Sequence, residues 1–466
     1  MKNLQEVIDS KHNLVDYFYN DSIAQYHKSR TGLFARFIPP EQSNWREEQR
    51  AWRETAALFD QSHHMPVLYV KGPDARKMLS YLTPCSFSNL SATRGKQFIA
   101  CSPSGNHIGD CMLYYYDEDE SFELISGMFV LNWVRFHGET GGYDVEMKFD
   151  ATSPYNPEGR RTKYRFQVEG PNARAILEQA CDGEWPELKF FHRTYVSIAG
   201  CKVQVLRHGM AGHAGAEISG PFEEMDRVRN AILEAGKGHG LVPAGTSSYF
   251  SASLEDGWMP NPCPAIYTGE QLRTYREWLP ADGWEANLQF GGSLYSNNIE
   301  DYYSTPWSLG YGHLVKFDHD FIGRAALEQS QNGKRRVKRS LLWDKDDVIK
   351  VYASQLTEGP LYKSIEMPIA YFGFPQADEV RSEDGRLVGM SQICGYNNVN
   401  DRSVISLVSI DEDFAEPGTQ VILTWGEPNG GSRKPHVERH EQTTIRATVS
   451  PAPFSKVTRD KLKAAI

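Results

Sequence analysis

Val70-Lys71-Gly72-Pro73-Asp74-Ala75-Arg76, followed by Met78-Leu79, returns 98 residues later as Val168-Glu169-Gly170-Pro171-Asn172-Ala173-Arg174, followed by Ile176-Leu177. Each copy closes a β-rich run, Val67-Leu68-Tyr69-Val70 or Tyr164-Arg165-Phe166-Gln167-Val168. It then turns at Gly-Pro and enters a segment whose apolar residues fall at helical spacing behind Asp74 or Asn172, both good N-cap residues. The pattern reads as strand, turn and capped helix, twice, and predicts two related α+β half-domains. At 466 residues the chain is about three times a typical 150-residue domain, so the paired halves leave room for a further domain.

Outward from the repeat, Cys111-Met112-Leu113-Tyr114-Tyr115-Tyr116 and Phe122-Glu123-Leu124-Ile125 flank the acidic cluster 117–120 as a hairpin flanks its solvated turn. Phe222 to Ala235 reads as an amphipathic helix ended by Gly236 as a left-handed C-cap. From Trp258 to about Pro306 the chain is rich in Pro, Gly, Asn, Tyr and Trp and reads as long functional loops. The basic run Lys334-Arg335-Arg336-Val337-Lys338-Arg339 reads as a solvated linker face, and beyond it alternating segments with turn signals predict an all-β domain. The expected organisation is an N-terminal segment over 1–50, a first half-domain over 51–155, a second over 156–335 and a C-terminal β domain over 336–466.

Composition narrows the function. Fifty basic against sixty acidic residues leave a net charge of −10, a field that repels nucleic acid and anionic lipid. Seven scattered cysteines without a C-x-x-C pair suggest reduced thiols and a cytoplasmic setting. Neither an export signal nor a run of ~18 apolar residues is present, so no membrane span is expected. No H-E-x-x-H, phosphate loop, dinucleotide loop or G-x-S-x-G elbow occurs, so no metal site is expected and phosphate, dinucleotide and serine-hydrolase chemistry are disfavoured.

The residues carry a family resemblance. Phe59-Asp60-Gln61-Ser62-His63-His64-Met65 ahead of the first Gly-Pro-Asp-Ala resembles the F-D-x-S-H-M segment of the glycine-cleavage T-protein family. Gly215-Ala216-Glu217-Ile218, Leu254-Glu255-Asp256-Gly257 and Asp320-Phe321-Ile322-Gly323-Arg324-Ala325-Ala326-Leu327 are similar to its G-Y-E-[IL], L-E-A-G and D-F-I-G-R-x-A-L elements, in family order over most of the chain. The resemblance implies a fold of two α+β halves around a central folate cavity plus a C-terminal β-barrel, and tetrahydrofolate as cofactor. It implies Glu217 as the carboxylate that holds the pterin, a role that suits a bidentate acceptor facing a row of N–H donors, and places Gln97 and Trp258 beside the folate.

Departures from that family are informative. Its arginine ahead of L-E-A-G is Tyr249 here, and its I-D-D acid pair reads Gly109-Asp110-Cys111, so one carboxylate is gone. Both weaken a reading as lipoyl-dependent aminomethyl transferase. The nearer resemblance is to tetrahydrofolate-dependent aryl-ether O-demethylases of the vanillate and syringate type. It is carried by Ser43-Asn44-Trp45-Arg46-x-x-Gln49, Arg207-His208-Gly209-Met210-Ala211-Gly212, Ala265-Ile266-Tyr267-Thr268-Gly269, Tyr275-Arg276-Glu277-Trp278-Leu279-Pro280 and Asn298-Ile299-Glu300-Asp301-Tyr302-Tyr303.

That resemblance implies Tyr249, helped by His63 or His64, as the group that assists loss of the phenol; Asp110, the remaining carboxylate of the T-protein acid pair, is a further candidate catalytic residue. Displacement at the ether methyl needs a nucleophile in line and a proton for the departing phenolate. The arginine with which vanillate-type members neutralise a benzoate is absent, since Ser126-Gly127-Met128-Phe129 stands there. Two substrate readings stay open. Arg36 (or Arg30) supplies the charge from elsewhere, or Met128 and Phe129 form an apolar wall for a larger neutral ring, including a methylenedioxyphenyl lignan. The expected partner is a small aromatic ether. Aminomethyl transfer, sulfonium demethylation and a silent folate binder are the further alternatives, and oligomeric state is not legible.

Overall fold

A computed structural model describes residues 1–22, 37–156, 159–211, 213–260, 262–370, 372–373, 375–397, 402–431, 433 and 437–461. Each copy of the repeat contributes a strand to its own sheet. Val67–Lys71 lies in a five-stranded antiparallel sheet ordered Gly95–Cys101, His107–Tyr116, Ser121–Ile125, Val67–Lys71, Glu146–Asp150. Lys163–Glu169 lies in a six-stranded sheet ordered Leu241–Ala244, Ala56–Asp60, Lys163–Glu169, Gly215–Pro221, Cys201–Arg207, Arg193–Ile198. Ala56–Asp60 thus sits early in the chain yet pairs antiparallel with Lys163–Glu169 and parallel with Leu241–Ala244.

The two Gly-Pro turns are physically equivalent. Gly72 and Gly170 have φ of +126° and +131°, and a Cβ on either would lie 2.5 Å from the Asp144 carbonyl oxygen or 2.6 Å from that of Thr55. Only glycine satisfies both the conformation and the approach. The helices that follow, Ala75–Tyr81 and Ala173–Ala180, bury Ala75, Met78 and Leu79 in one case and Ala173, Ile176 and Leu177 in the other.

Their expected side-chain caps do not form. Asp74 and Asn172 have φ near −95°, outside the extended geometry of a capping residue, and turn to other segments. Asp74 accepts from the Asp144 amide at 3.0 Å, and Asn172 donates to the His239 carbonyl at 2.8 Å. Gly236 likewise is no left-handed cap. It lies inside the helix Met225–Gly236, where a Cβ would stand 2.4 Å from Leu241 Cβ.

The hairpin read from Cys111 to Ile125 forms, its first strand extended back to His107, with the acidic turn exposed. Residues 258–306 are mostly irregular, broken by the helix Arg273–Trp278 and short 3₁₀ turns. The C-terminal region closes a six-stranded barrel. Leu387–Asn397, Asp378–Arg381, Gln420–Trp425, Thr443–Ser450, Arg336–Trp343 and Ser403–Asp411 are neighbours in that order, and the last pairs back onto the first. The basic run is part of this barrel rather than a linker. Arg336–Trp343 runs antiparallel to Ser403–Asp411, and Lys334, Arg335 and Arg336 meet Asp413, Glu412 and Asp411 at 2.6, 3.8 and 3.0 Å.

The two α+β sheets face each other. Val67, Tyr114 and Ile125 of the first pack against Leu206 of the second, and Tyr114 donates to Glu217 across the gap at 2.9 Å. The space beside this contact, roofed by the 258–311 loops and by residues 366–373 of the barrel region, is the principal cavity.

Candidate functional site

The cavity has a volume of about 930 Å³, the upper end of the range for small-molecule sites. Tyr249, His64, Asp110, Glu217, Gln97, Trp258, Met128 and Phe129 line it together. His63 does not, and Arg36 lies outside the described residues.

Tyr249 rides on the helix Thr246–Asp256, which shows Tyr249, Ser253 and Asp256 to the cavity at helical spacing. A second helix, Trp45–Glu54, holds it in place and is itself capped by Asn44, whose side chain accepts from the Arg46 and Glu47 amides. Buried Glu48 accepts from the Gly245 amide at 2.9 Å and from Ser248 Oγ at 2.6 Å, while its other oxygen takes the Gln42 and Ser43 amides. Gln49 donates to Ser251 Oγ at 2.7 Å, and Arg53 pairs with Glu255. The Ser-Asn-Trp-Arg-x-x-Gln stretch is thus a clamp on the tyrosine's helix.

The turn carrying the histidines is fixed from below. Arg161 donates to the Ser62 and Met65 carbonyls at 2.8 Å each and pairs with Asp150 at 3.1 Å. The neighbouring rings consequently part. His63 Nδ1 meets Ser153 Oγ at 2.8 Å and its ring stacks on Phe37, whereas His64 Nε2 lies 2.9 Å from Tyr249 Oη. Burial, then the charges of Arg161, His63 and Arg165, pushes His64 down to about 3. Burial and the nearby Glu217 charge raise the Tyr249 hydroxyl above its ordinary value. The pair is therefore neutral, tyrosine protonated, at physiological pH.

A stability consequence follows. The unfolded imidazole takes a proton below about pH 6.5 while the folded one stays neutral to about 3. Unfolding then takes up a proton in that window, so stability falls as pH drops through it, by up to about 1.4 kcal/mol per unit. His64→Gln is expected to reduce the slope of unfolding free energy against pH between 6 and 4 by close to one proton. An unchanged slope would mean that the native imidazole is charged.

Glu217, on the strand Gly215–Pro221, is buried apart from its cavity edge. Its Oε1 accepts from Arg165 at 2.5 Å and from Tyr114, and Oε2 has no protein donor among the described residues. Arg165 is shared with Glu123 at 3.2 Å, and Glu123 also takes Lys163 at 2.6 Å. These cations hold the buried Glu123 carboxyl down to about 2 against the effect of its burial. Asp110 Oδ2 accepts from Gln97 at 2.6 Å and from Tyr311 at 3.1 Å, and Tyr311 in turn accepts from Trp258 Nε1 at 3.0 Å. Gln97, Asp110, Tyr311 and Trp258 thus form one hydrogen-bonded wall. Gly109, in the family's isoleucine position, is explained by packing, because a Cβ there would lie 2.9 Å from the Val130 amide of the helix Met128–Thr140.

Residues 15–260 match the family model described as the GCVT N-terminal domain. The chain belongs to the GCVT family. It is 42% identical to the syringate O-demethylase of Sphingobium sp. (strain NBRC 103272 / SYK-6), over 98% of this chain and 97% of that protein. It is 27% identical to the sesamin methylene transferase of Sinomonas sp. (strain No.22), over 90% of each. Among solved structures, the glycine cleavage system aminomethyltransferase T from Bartonella henselae shares the fold, with a TM-score of 0.59 and 18% identity over 90% of this chain and 92% of that one.

Several cavity residues of this GCVT member escaped sequence reasoning. Asp256 replaces the alanine of the family's L-E-A-G, and that departure was the available signal. Burial pushes its carboxyl well up, against the Trp258 amide at 2.7 Å. Arg165, Tyr311, His208 and Lys338 also line the cavity; His208 lies in the Arg207-to-Gly212 motif and Lys338 in the basic run, but neither pattern marked them as cavity residues. Among the described residues no cluster of three His, Cys, Asp or Glu could hold a metal, and no helix is long and apolar enough to cross a membrane.

Proposed function

We propose that the chain demethylates an aromatic methyl ether, moving the carbon to tetrahydrofolate and releasing a phenol or catechol. The observation that carries this reading is the neutral Tyr249–His64 pair, 2.9 Å apart, on the wall of a cavity that also presents the open edge of Glu217. Full-length similarity to a protein named syringate O-demethylase supports it.

The cavity fits a reduced folate. Glu217 Oε2, without a protein donor among the described residues, suits the N–H edge of a pterin, while Arg165 and Tyr114 anchor Oε1. Gln97 and Trp258 are its further contacts. When bound, tetrahydrofolate supplies the amine nitrogen that receives the carbon.

The protein's part is acid catalysis and positioning. Tyr249 gives its proton to the ether oxygen as the C–O bond breaks. Its single hydrogen cannot serve His64 and the ether oxygen at once, so His64 acts as the Nε2–H tautomer and donates to Tyr249. That donated hydrogen bond strengthens as the phenolic oxygen gains charge. His63, turned to Ser153, holds the turn. Met128 and Phe129 supply apolar contact for the substrate ring, and Asp110 orients Gln97 and Tyr311.

Purified protein with tetrahydrofolate should convert syringate or a related methoxyarene to the phenol, with one methyl-folate formed per turnover, read by mass. A methylenedioxyphenyl substrate giving methylene-folate would favour the second reading, for which the sesamin relative is the support. No folate product from acidic or neutral aryl ethers would reject both.

A further inference from the structure

Beside the Tyr249–His64 pair lies a second and much smaller cavity of about 10 Å³ that shares His64, Tyr249 and Phe250 with the main one, space enough for the centre of one water. Ile38, Asp60, His64, Ala244, Gly245, Thr246, Tyr249 and Phe250 line it, so its polar wall is Asp60, His64, Thr246 and Tyr249.

Polar groups at this corner are otherwise engaged. The Thr246 amide donates to the Pro39 carbonyl at 3.1 Å, the Ser247 amide to Pro40 at 2.9 Å, and the Gly245 amide to Glu48. Asp60 Oδ1 takes the Ser62 amide at 2.9 Å, and its Oδ2 stands 3.7 Å from His63 Nε2. Thr246 Oγ1 is the exception. It is buried on a residue 3% exposed, with no hydrogen-bond partner among the described residues. A buried hydroxyl without a partner, beside a mostly apolar void of one-water size that a few polar side chains help to line, is a setting in which an ordered internal water satisfies the hydroxyl.

We propose that this cavity is a site for one water, held by Thr246 Oγ1 and Asp60, which donates to the Tyr249 oxygen. The inference rests on the reading of Tyr249 as proton donor. In that step the Tyr249 O–H bond breaks, the proton forms the new bond to the ether oxygen, and a tyrosinate is left on a buried helix. The water supplies that oxygen with a second hydrogen bond beside the one from His64, at the moment charge appears on it. Thr246 is then a positioning residue, acting through the water.

Thr246→Val removes the hydroxyl at nearly constant volume. It is expected to lower kcat roughly tenfold, the worth of one hydrogen bond to a group that becomes charged, with KM for the ether and folate affinity unchanged. Thr246→Ser should recover most of the rate, and a high-resolution crystal structure of the wild type should show a water within hydrogen-bond reach of residue 246. A dry cavity, an unchanged rate in the valine variant, or a serine variant as slow as valine would each overturn the proposal. Tyr249→Phe separates the two readings. If it is inactive while Thr246→Val is fully active, only the water site fails; if it is fully active, the proton-donor reading fails as well.

Discussion

Tyr249→Phe is expected to lower kcat by roughly 10²–10⁴-fold, the usual contribution of a positioned acid–base group, while tetrahydrofolate binding stays within about twofold. The substitution is sterically silent. The ring packs edge-on against Phe59 and Phe250, with centroids 5.7 and 5.6 Å away, and both contacts survive loss of the hydroxyl. What is lost is the proton, which burial and Glu217 keep on the oxygen well above its ordinary pKa. His64 Nε2 also loses its 2.9 Å partner. Single-turnover rates give the cleanest reading, and the defect should shrink for ethers of more acidic phenols, whose phenolates leave without help. A defect of the same size on every leaving group would assign Tyr249 to positioning, and wild-type rates would remove it from the mechanism.

How much of this was legible in the sequence depends on whether the cause of a feature is local. Gly72 and Gly170 were readable because each turn demands φ that only glycine adopts freely, and the same demand recurs in both copies. The hairpin from Cys111 to Ile125 was readable because its alternation and acidic turn are properties of one short segment. Asp74 and Asn172 misled because an N-cap residue and a cross-chain tie look alike in sequence. Only the arrival of Asp144 and His239 decides between them. Gly236 misled for the same reason, since its partner is Leu241 beyond the following turn.

The site divides in the same way. Resemblance named Tyr249, Glu217 and the histidine pair, yet the different surroundings of His63 and His64 depend on Ser153, Arg161 and Tyr249, which the fold brings from 90 or more residues away. Arg165 gave no signal at all. It is one residue in a β-rich run, and its importance exists only because the facing strands bring Glu123 and Glu217 to its two sides.

That double engagement shapes the second large effect. Glu217→Ala is expected to weaken tetrahydrofolate binding by about 2–5 kcal/mol, as truncating a buried charged partner does, and it also strips Arg165 of its closest carboxylate, leaving Glu123 at 3.2 Å. Loss of fold and loss of ligand would then arrive together. Glu217→Gln separates them, because the amide oxygen can still accept from Arg165 and Tyr114 while the second position turns from acceptor to donor. That change presents a donor to the N–H edge of the pterin, so folate affinity should fall nearly as far as in the alanine variant, with thermal stability much closer to wild type. Calorimetric titration of both variants alongside their melting curves reads the two effects. Wild-type affinity in Glu217→Gln would place the pterin elsewhere in the cavity, and an equal loss of stability in both variants would make Glu217 a structural partner of Arg165 alone.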